Sequence, residues 1–88
     1  MNKCVVLYGN DRQLIELRAR VLLQASFTVV SLTKLGEIVK LGPEPEADVL
    51  ILCHTLSPTE KRDAVLICRS IWPKVKVIVL VSLSLIHI

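Results

Sequence analysis

The residues most able to do chemistry follow a short aliphatic run in the middle of the chain. Val49 to Leu52 are all aliphatic, and Cys53, His54 and Thr55 come directly after them. A run without apolar–polar alternation is typical of a strand buried on both faces, as in a parallel sheet covered by helices. Ligands in such sheets bind where the strands end, at the carboxyl edge. We therefore expect any site of this protein to lie at that edge.

Cys53 and His54 could form a nucleophile and its base, but their adjacency argues against this pairing. Neighbouring residues of a strand point to opposite faces of the sheet, so the His54 ring cannot easily reach the Cys53 thiol. We interpret Cys53 as a buried structural cysteine and His54 as a loop residue. A phosphoacceptor role for His54 has no further support in the sequence.

A second polar group, Gly9, Asn10 and Asp11, follows the first strand-like run. A glycine turn before a helix can hold phosphate on free backbone N–H groups. This segment lacks the glycine-rich patterns of nucleotide-binding loops, however. We favour a tight turn in which Asn10 or Asp11 caps the next helix through its side-chain oxygen. The sequence therefore predicts no catalytic residue, no cofactor and no metal ligand.

Alternating strand-like and helix-like segments must position these residues. Apolar runs predict strands at 3–8, 27–32, 48–53 and 76–81, and helical spacing predicts helices at 12–25, 34–41 and 58–71. The short links between them indicate parallel strands joined by right-handed crossovers. The predicted fold class is therefore α/β, with a parallel sheet between layers of helices.

Local signals specify how the helices begin and which side faces inward. Thr33 is predicted to cap the second helix, and Ser57 with Glu60 forms a capping box before the third. The first helix carries an apolar stripe, Leu14, Leu17, Val21 and Leu22, opposite a wetter side. The third carries an inner stripe of Ala64, Ile67, Cys68 and Ile71.

Composition limits the classes of function. The chain has 88 residues, enough for one small domain, and 52% of them are hydrophobic, which favours a piece of a larger protein or a buried partner surface. The net charge of +3 comes from scattered basic residues without interleaved aromatics, so we expect no nucleic-acid binding. Three cysteines without zinc-site spacing indicate reduced thiols in the cytoplasm. No apolar run reaches the ~20 residues needed to span a bilayer.

The order and local signatures of these segments resemble the receiver (CheY-like) domain of bacterial two-component response regulators. The resemblance rests on LIELRARVLLQASFTVV (14–30), on the aspartate and four aliphatic residues at 48–52, and on the Trp-Pro approach to the fourth strand at 72–80. Ser26 and Phe27 stand where the family usually has Gly-Tyr. The resemblance implies a flavodoxin-like three-layer fold with strand order 2-1-3-4-5, of which about four strands and three helices are present.

The chain departs from the family at the residues that carry phosphotransfer. Cys53 stands at the position of the phosphoacceptor aspartate, and Gly9 and Asn10 stand where the magnesium-binding acidic pair is expected, leaving Asp11 alone. The switch serine or threonine aligns with Val81. A thiolate cannot form the acyl phosphate and is no hard oxygen ligand for magnesium. The resemblance thus implies a degenerate receiver, not an enzyme, that acts by protein–protein interaction with a kinase, a regulator or an output domain.

The last six residues, LSLIHI, match the translation of the end of a transposase-based sequencing adapter. We therefore expect a partial receiver-like domain at 1–82 and an artefactual tail at 83–88, with the true gene continuing.

Two other interpretations stay open. The chain could be a fragment of a flavodoxin- or Rossmann-like enzyme that binds a nucleotide or a flavin. It could also be a standalone adaptor that ends at Ile88, although its fourth strand would then leave an apolar edge unpaired.

Overall fold

A computed structural model of the protein describes residues 3–42 and 46–80. Strands and helices alternate along the chain as follows: β1 (Cys4–Tyr8), α1 (Arg12–Gln24), β2 (Thr28–Leu32), α2 (Gly36–Leu41), β3 (Val49–Leu52), α3 (Pro58–Ile71) and β4 (Lys76–Val79). The predicted elements are thus confirmed in type and order, with bounds shifted by one or two residues. The predictions for Val81 and for 83–88 lie outside the described residues.

All four strands run parallel in one sheet, in the order β2-β1-β3-β4. Val5 pairs with Val29 of β2 on one side and with Val49 of β3 on the other, and Val49 in turn pairs with Lys76 of β4. Because parallel neighbours need a crossover connection, each helix must pass over the sheet. The α/β parallel-sheet fold class is confirmed, and the strand order is the flavodoxin-like one for the first four strands.

The two faces of the sheet carry cores of very different size. Side chains alternate between faces along a strand, so Val6 and Leu7 of β1 point in opposite directions. Val6 joins a large core beneath α2 and α3, which includes Ile38, Ala64 and Trp72. The predicted inner stripe of α3 lies in or against this core. On the other face α1 covers a small cluster of three fully buried residues, Leu7, Ile15 and Cys53.

The predicted inward stripe of α1 is wrong for two of its residues. Leu17 is 57% exposed and Val21 is 65% exposed, whereas Ile15 is the residue that α1 buries. The reason lies in where α1 sits, over β2 and β1. The side chains of Leu17 and Val21 therefore point along the sheet toward Ile51 of β3, rather than down onto β1 and β2.

The helix ends follow their local chemistry with one correction. The capping box of α3 is confirmed: Ser57 Oγ accepts from the Glu60 N–H at 3.1 Å, and the Glu60 carboxylate accepts from the Ser57 N–H at 2.9 Å. Thr33 does not cap α2. Instead, the Glu37 carboxylate accepts from the N–H groups of Thr33 and Lys34, which precede the helix, and no side-chain hydrogen bond caps α2 at its N-cap residue, Leu35.

The link from α1 to β2 passes through one residue in the left-handed region. Ser26 has φ 70, and its N–H donates to the Leu23 carbonyl at 3.0 Å as the helix closes. Glycine is the residue usually found at such a helix end, because it has no Cβ to clash. None of the three described helices is long and apolar enough to cross a bilayer.

Candidate functional site

The carboxyl edge of the sheet brings the segments after β1 and β3 together. The Cys53 N–H donates to the Tyr8 carbonyl at 3.0 Å and extends the ladder between these strands. One residue further out, Asn10 Nδ2 donates to the Thr55 carbonyl at 3.3 Å, so the two loops are joined. The structure thus places Gly9 and Asn10 at the same edge as Cys53, which is distant from them in sequence.

Gly9 and Cys53 are packed so closely that each restricts the other. A Cβ placed on Gly9 would lie 2.8 Å from both Cβ and Sγ of Cys53, and 3.3 Å from Cδ1 of Ile15. Cys53 itself is only 1% exposed. The thiol therefore fills the space above the Gly9 backbone and lies under α1, out of reach of solvent. A larger residue at either position requires the other to move.

Asp11, the one acidic residue left in the loop after β1, is used to begin α1. Its Oδ1 accepts from the N–H groups of Gln13 at 3.1 Å and Leu14 at 3.3 Å, with Asp11 in an extended backbone conformation. This is the geometry of a helix N-cap. Across residues 3–42 and 46–80, no three His, Cys, Asp or Glu side chains come close enough to hold a metal ion.

His54 turns away from Cys53 and faces α1. Its Nδ1 lies 3.4 Å from Nη2 of Arg18. Arginine can only donate, so Nδ1 is the acceptor side of this long contact. The Cys53–His54 pair is therefore no catalytic dyad in this geometry, since the imidazole contacts a guanidinium instead of the thiol.

Sequence reasoning missed Arg18, which it counted among the scattered basic residues. Arg18 is half-buried, and its Nη1 is fully covered with no hydrogen-bond partner in the described part of the chain. A signal was present, because Arg18 comes four residues after Leu14 and four before Leu22. It therefore lies inside the apolar stripe of α1, where a solvated cation is not expected.

An apolar groove runs beside Arg18, between α1 and the uncovered part of the sheet. Leu7 and Ile51 form its floor, Leu17, Val21 and Leu22 form one wall, and Leu80 lies at its far side. The cavity measures about 330 Å³. This size falls within the ordinary range of small-molecule sites, roughly 300–1,000 Å³.

The other two cysteines are unsuited to nucleophilic chemistry. Burial raises the pKa of the Cys68 thiol to about 11. The pKa of Cys4 is also raised, first by burial and second by the negative charge of Asp48, whose carboxylate accepts from the Cys4 N–H at 2.8 Å. Because the thiolate is the reactive form, both thiols stay inert at neutral pH.

No model of a known protein family matches the chain, and no curated protein matches it either.

Proposed function

We propose that this chain is a receiver-like signalling module of the two-component type that binds protein partners and does not accept a phosphoryl group. The observation that carries the proposal is the contact between Gly9 and Cys53 at the carboxyl edge of a parallel sheet ordered β2-β1-β3-β4. In the family that the sequence resembles, this is the place of the phosphoacceptor and its acidic neighbours. In this chain the buried thiol of Cys53 and the backbone of Gly9 occupy that place.

The chemistry at this edge supports the absence of phosphotransfer. An acyl phosphate needs a free carboxylate, and magnesium needs several hard oxygen ligands around it. Asp11 supplies the only carboxylate of the loop after β1, and its Oδ1 already accepts two backbone N–H groups. Magnesium at this carboxylate would have to share it with the cap of α1.

Exposed apolar side chains on the helices support a role in protein contacts. Val39 on α2 is 60% exposed and Leu66 on α3 is 63% exposed, in addition to the α1 residues described above. A kinase, a sister regulator or an output domain could use such surfaces. The three buried, unpaired cysteines suit work in the reducing cytoplasm.

The first test is phosphorylation by acetyl phosphate in the presence of magnesium, followed by intact-protein mass spectrometry. We expect no phosphoryl adduct, while an ordinary receiver domain in a parallel reaction acquires one. A stable adduct on this chain would contradict the proposal. Loss of that adduct in His54→Ala would assign it to the histidine.

The second test separates a binding module from a fragment of an enzyme. Pairwise binding to histidine kinases, receivers and output domains encoded beside this gene should give at least one saturable complex, unchanged by acetyl phosphate. Quenching of flavin fluorescence on addition of the protein, without any such complex, would instead favour the flavodoxin-like enzyme.

A further inference from the structure

A second cavity, which we call the polar cavity, lies between the first turns of α1, the end of β2 and α2. It measures about 270 Å³. Its lining is mostly charged or hydroxyl-bearing and consists of Arg12, Ile15, Glu16, Ser31, Thr33 and Glu37. β2 is the outer strand on the side of the sheet away from β4, and all six residues lie well inside the described segment 3–42. The polar cavity is therefore separate from the apolar groove and from the contact of Gly9 with Cys53.

Charges of both signs line the polar cavity without pairing to each other. Arg12 and Glu16 are four residues apart on α1, so their Cβ atoms are neighbours at roughly 5–6 Å. They nevertheless form no ion pair, since the salt bridge within segments 3–42 and 46–80 joins Arg62 to Asp63. Glu37 adds a second carboxylate from α2. One cation and two anions thus face the same space and are available to a ligand.

The Glu37 carboxylate is held in position by the backbone. Its Oε1 accepts from the N–H groups of Thr33 at 3.3 Å and Lys34 at 3.0 Å. A carboxylate has about four acceptor positions on its two oxygens, so Glu37 can accept further donors. Because this side chain is already ordered, a ligand that donates to it loses less conformational entropy on binding. The hydroxyl groups of Ser31 and Thr33 add donors and acceptors beside it.

The charge pattern selects a ligand that carries both signs of charge close together. A simple carboxylate would meet Glu16 and Glu37, and a simple amine would meet Arg12, so each gains one attraction and suffers one repulsion. The polar cavity, at about 270 Å³, lies just below the roughly 300 Å³ at which drug-sized sites begin. The ligand is therefore small.

We propose that the polar cavity binds a small α-amino acid as its zwitterion. The ligand carboxylate pairs with the guanidinium of Arg12, whose planar fork matches two carboxylate oxygens. The ligand ammonium group, which has three donors, lies between Glu16 and Glu37. An α-amino acid carries its two charges on adjacent atoms of one carbon, which suits opposite charges one helical turn apart. This binding is independent of the partner-binding function above.

The test is an NMR titration of the full chain at neutral pH with L-alanine and, separately, with propionate and ethylamine. We expect L-alanine to give saturable shifts at the backbone amides of Ile15, Ser31 and Thr33. Propionate lacks the ammonium group and ethylamine lacks the carboxylate, so each should bind at least about tenfold more weakly, a difference of about 1.4 kcal/mol. No saturable shift with L-alanine, or equal binding of either control compound, would overturn the proposal.

Variants assign each ligand charge to its partner in the polar cavity. Arg12→Gln should weaken L-alanine binding about tenfold without weakening the binding of ethylamine. Arg20→Gln, at an exposed position of the same helix outside the cavity, should change neither. Equal effects of the two variants would show general charge attraction and reject the site.

The acidic side is tested in the same way. Glu37→Gln keeps an oxygen that can accept from the Thr33 and Lys34 N–H groups but removes the charge, and it should weaken L-alanine binding about tenfold. Glu60→Gln makes the same substitution at the capping box of α3, outside the cavity, and should leave binding unchanged. If Glu37→Gln does not fold, Glu16→Gln at an exposed position replaces it, with the same expected loss. Unchanged binding in the folded variant would contradict the proposal.

Discussion

The two faces of the sheet show how differently one set of strands can be used. Beneath α2 and α3, a continuous core includes Leu50, Leu52 and the fully buried Trp72. Beneath α1, the buried cluster consists of Leu7, Ile15 and Cys53, and the surface beside them forms the groove. The first face holds the fold together. The second combines the tight contact at the carboxyl edge with open apolar surface, which suggests that stability and binding are divided between the two faces.

The largest loss of stability is expected when buried volume is removed from the large core beneath α2 and α3. Trp72→Ala should destabilise the protein by about 3–5 kcal/mol, because the indole is 1% exposed and leaves a cavity. Leu17→Ala on the α1 face should change the free energy of unfolding by less than about 0.5 kcal/mol, since that side chain is already 57% exposed. Urea unfolding followed by circular dichroism measures both. Comparable losses would show that the α1 face contributes as much stability as the other.

A second change tests the small cluster where it is most crowded. Gly9→Ala should cost about 1–3 kcal/mol, because the new Cβ meets Cys53 atoms at 2.8 Å. Gly36→Ala is the matched control: no atom lies within 4 Å of its added Cβ, and alanine in α2 should stabilise the helix by up to about 1 kcal/mol.

Combining Gly9→Ala with Cys53→Ala sharpens the result. Removal of Sγ relieves one of the two close contacts and leaves the contact with Cβ. The double variant should therefore lose less stability than the sum of the two single variants. Strict additivity in urea unfolding would show that Gly9 and Cys53 do not contact each other in solution.

The pH dependence of the free energy of unfolding tests the large core, because the Cys68 thiol is buried there. The folded protein holds this thiol proton up to a pKa of about 11, whereas an unperturbed thiol loses it at 9.0. Between these values the unfolded state binds fewer protons at Cys68 than the folded state does. The stabilisation of the folded state by the protonated thiol is therefore complete below pH 9.0 and is lost as the pH approaches 11. The stability difference between wild type and Cys68→Ala should shrink over this window. Unfolding curves at stepped pH measure it, and a constant difference would contradict the raised pKa.

The smallest effect concerns the turn that follows α1. Ser26→Gly should raise stability by about 0.5–1 kcal/mol, since Ser26 has φ 70 and glycine adopts this conformation without a Cβ clash. Ser70→Gly, at an exposed position within α3, should instead lower stability by a few tenths of a kcal/mol, because glycine is a poor helix former. Thermal unfolding of the two variants should therefore shift in opposite directions.

Sequence patterns predicted those features that depend on near neighbours in the chain. The strands, the α3 capping box and the order of elements all follow from such local signals. The exposed stripe of α1 did not, because which side of a helix is buried depends on what covers the rest of the sheet. Arg18 was missed although its spacing places it in the apolar stripe of α1, because the sequence does not show the groove beside it. The contact of Gly9 with Cys53 joins residues 44 positions apart, which spacing alone cannot reveal.

The contact between Gly9 and Cys53 limits which substitutions these two positions can accept during evolution. An acidic residue in place of Gly9 would collide with Cys53 before it could bind magnesium. An aspartate in place of Cys53 would place a carboxylate where the present side chain is only 1% exposed, and burying a charge is costly. Each single substitution by an acidic residue is thus disfavoured until the other position has also changed. Gly9 and Cys53 are therefore expected to change together rather than one at a time.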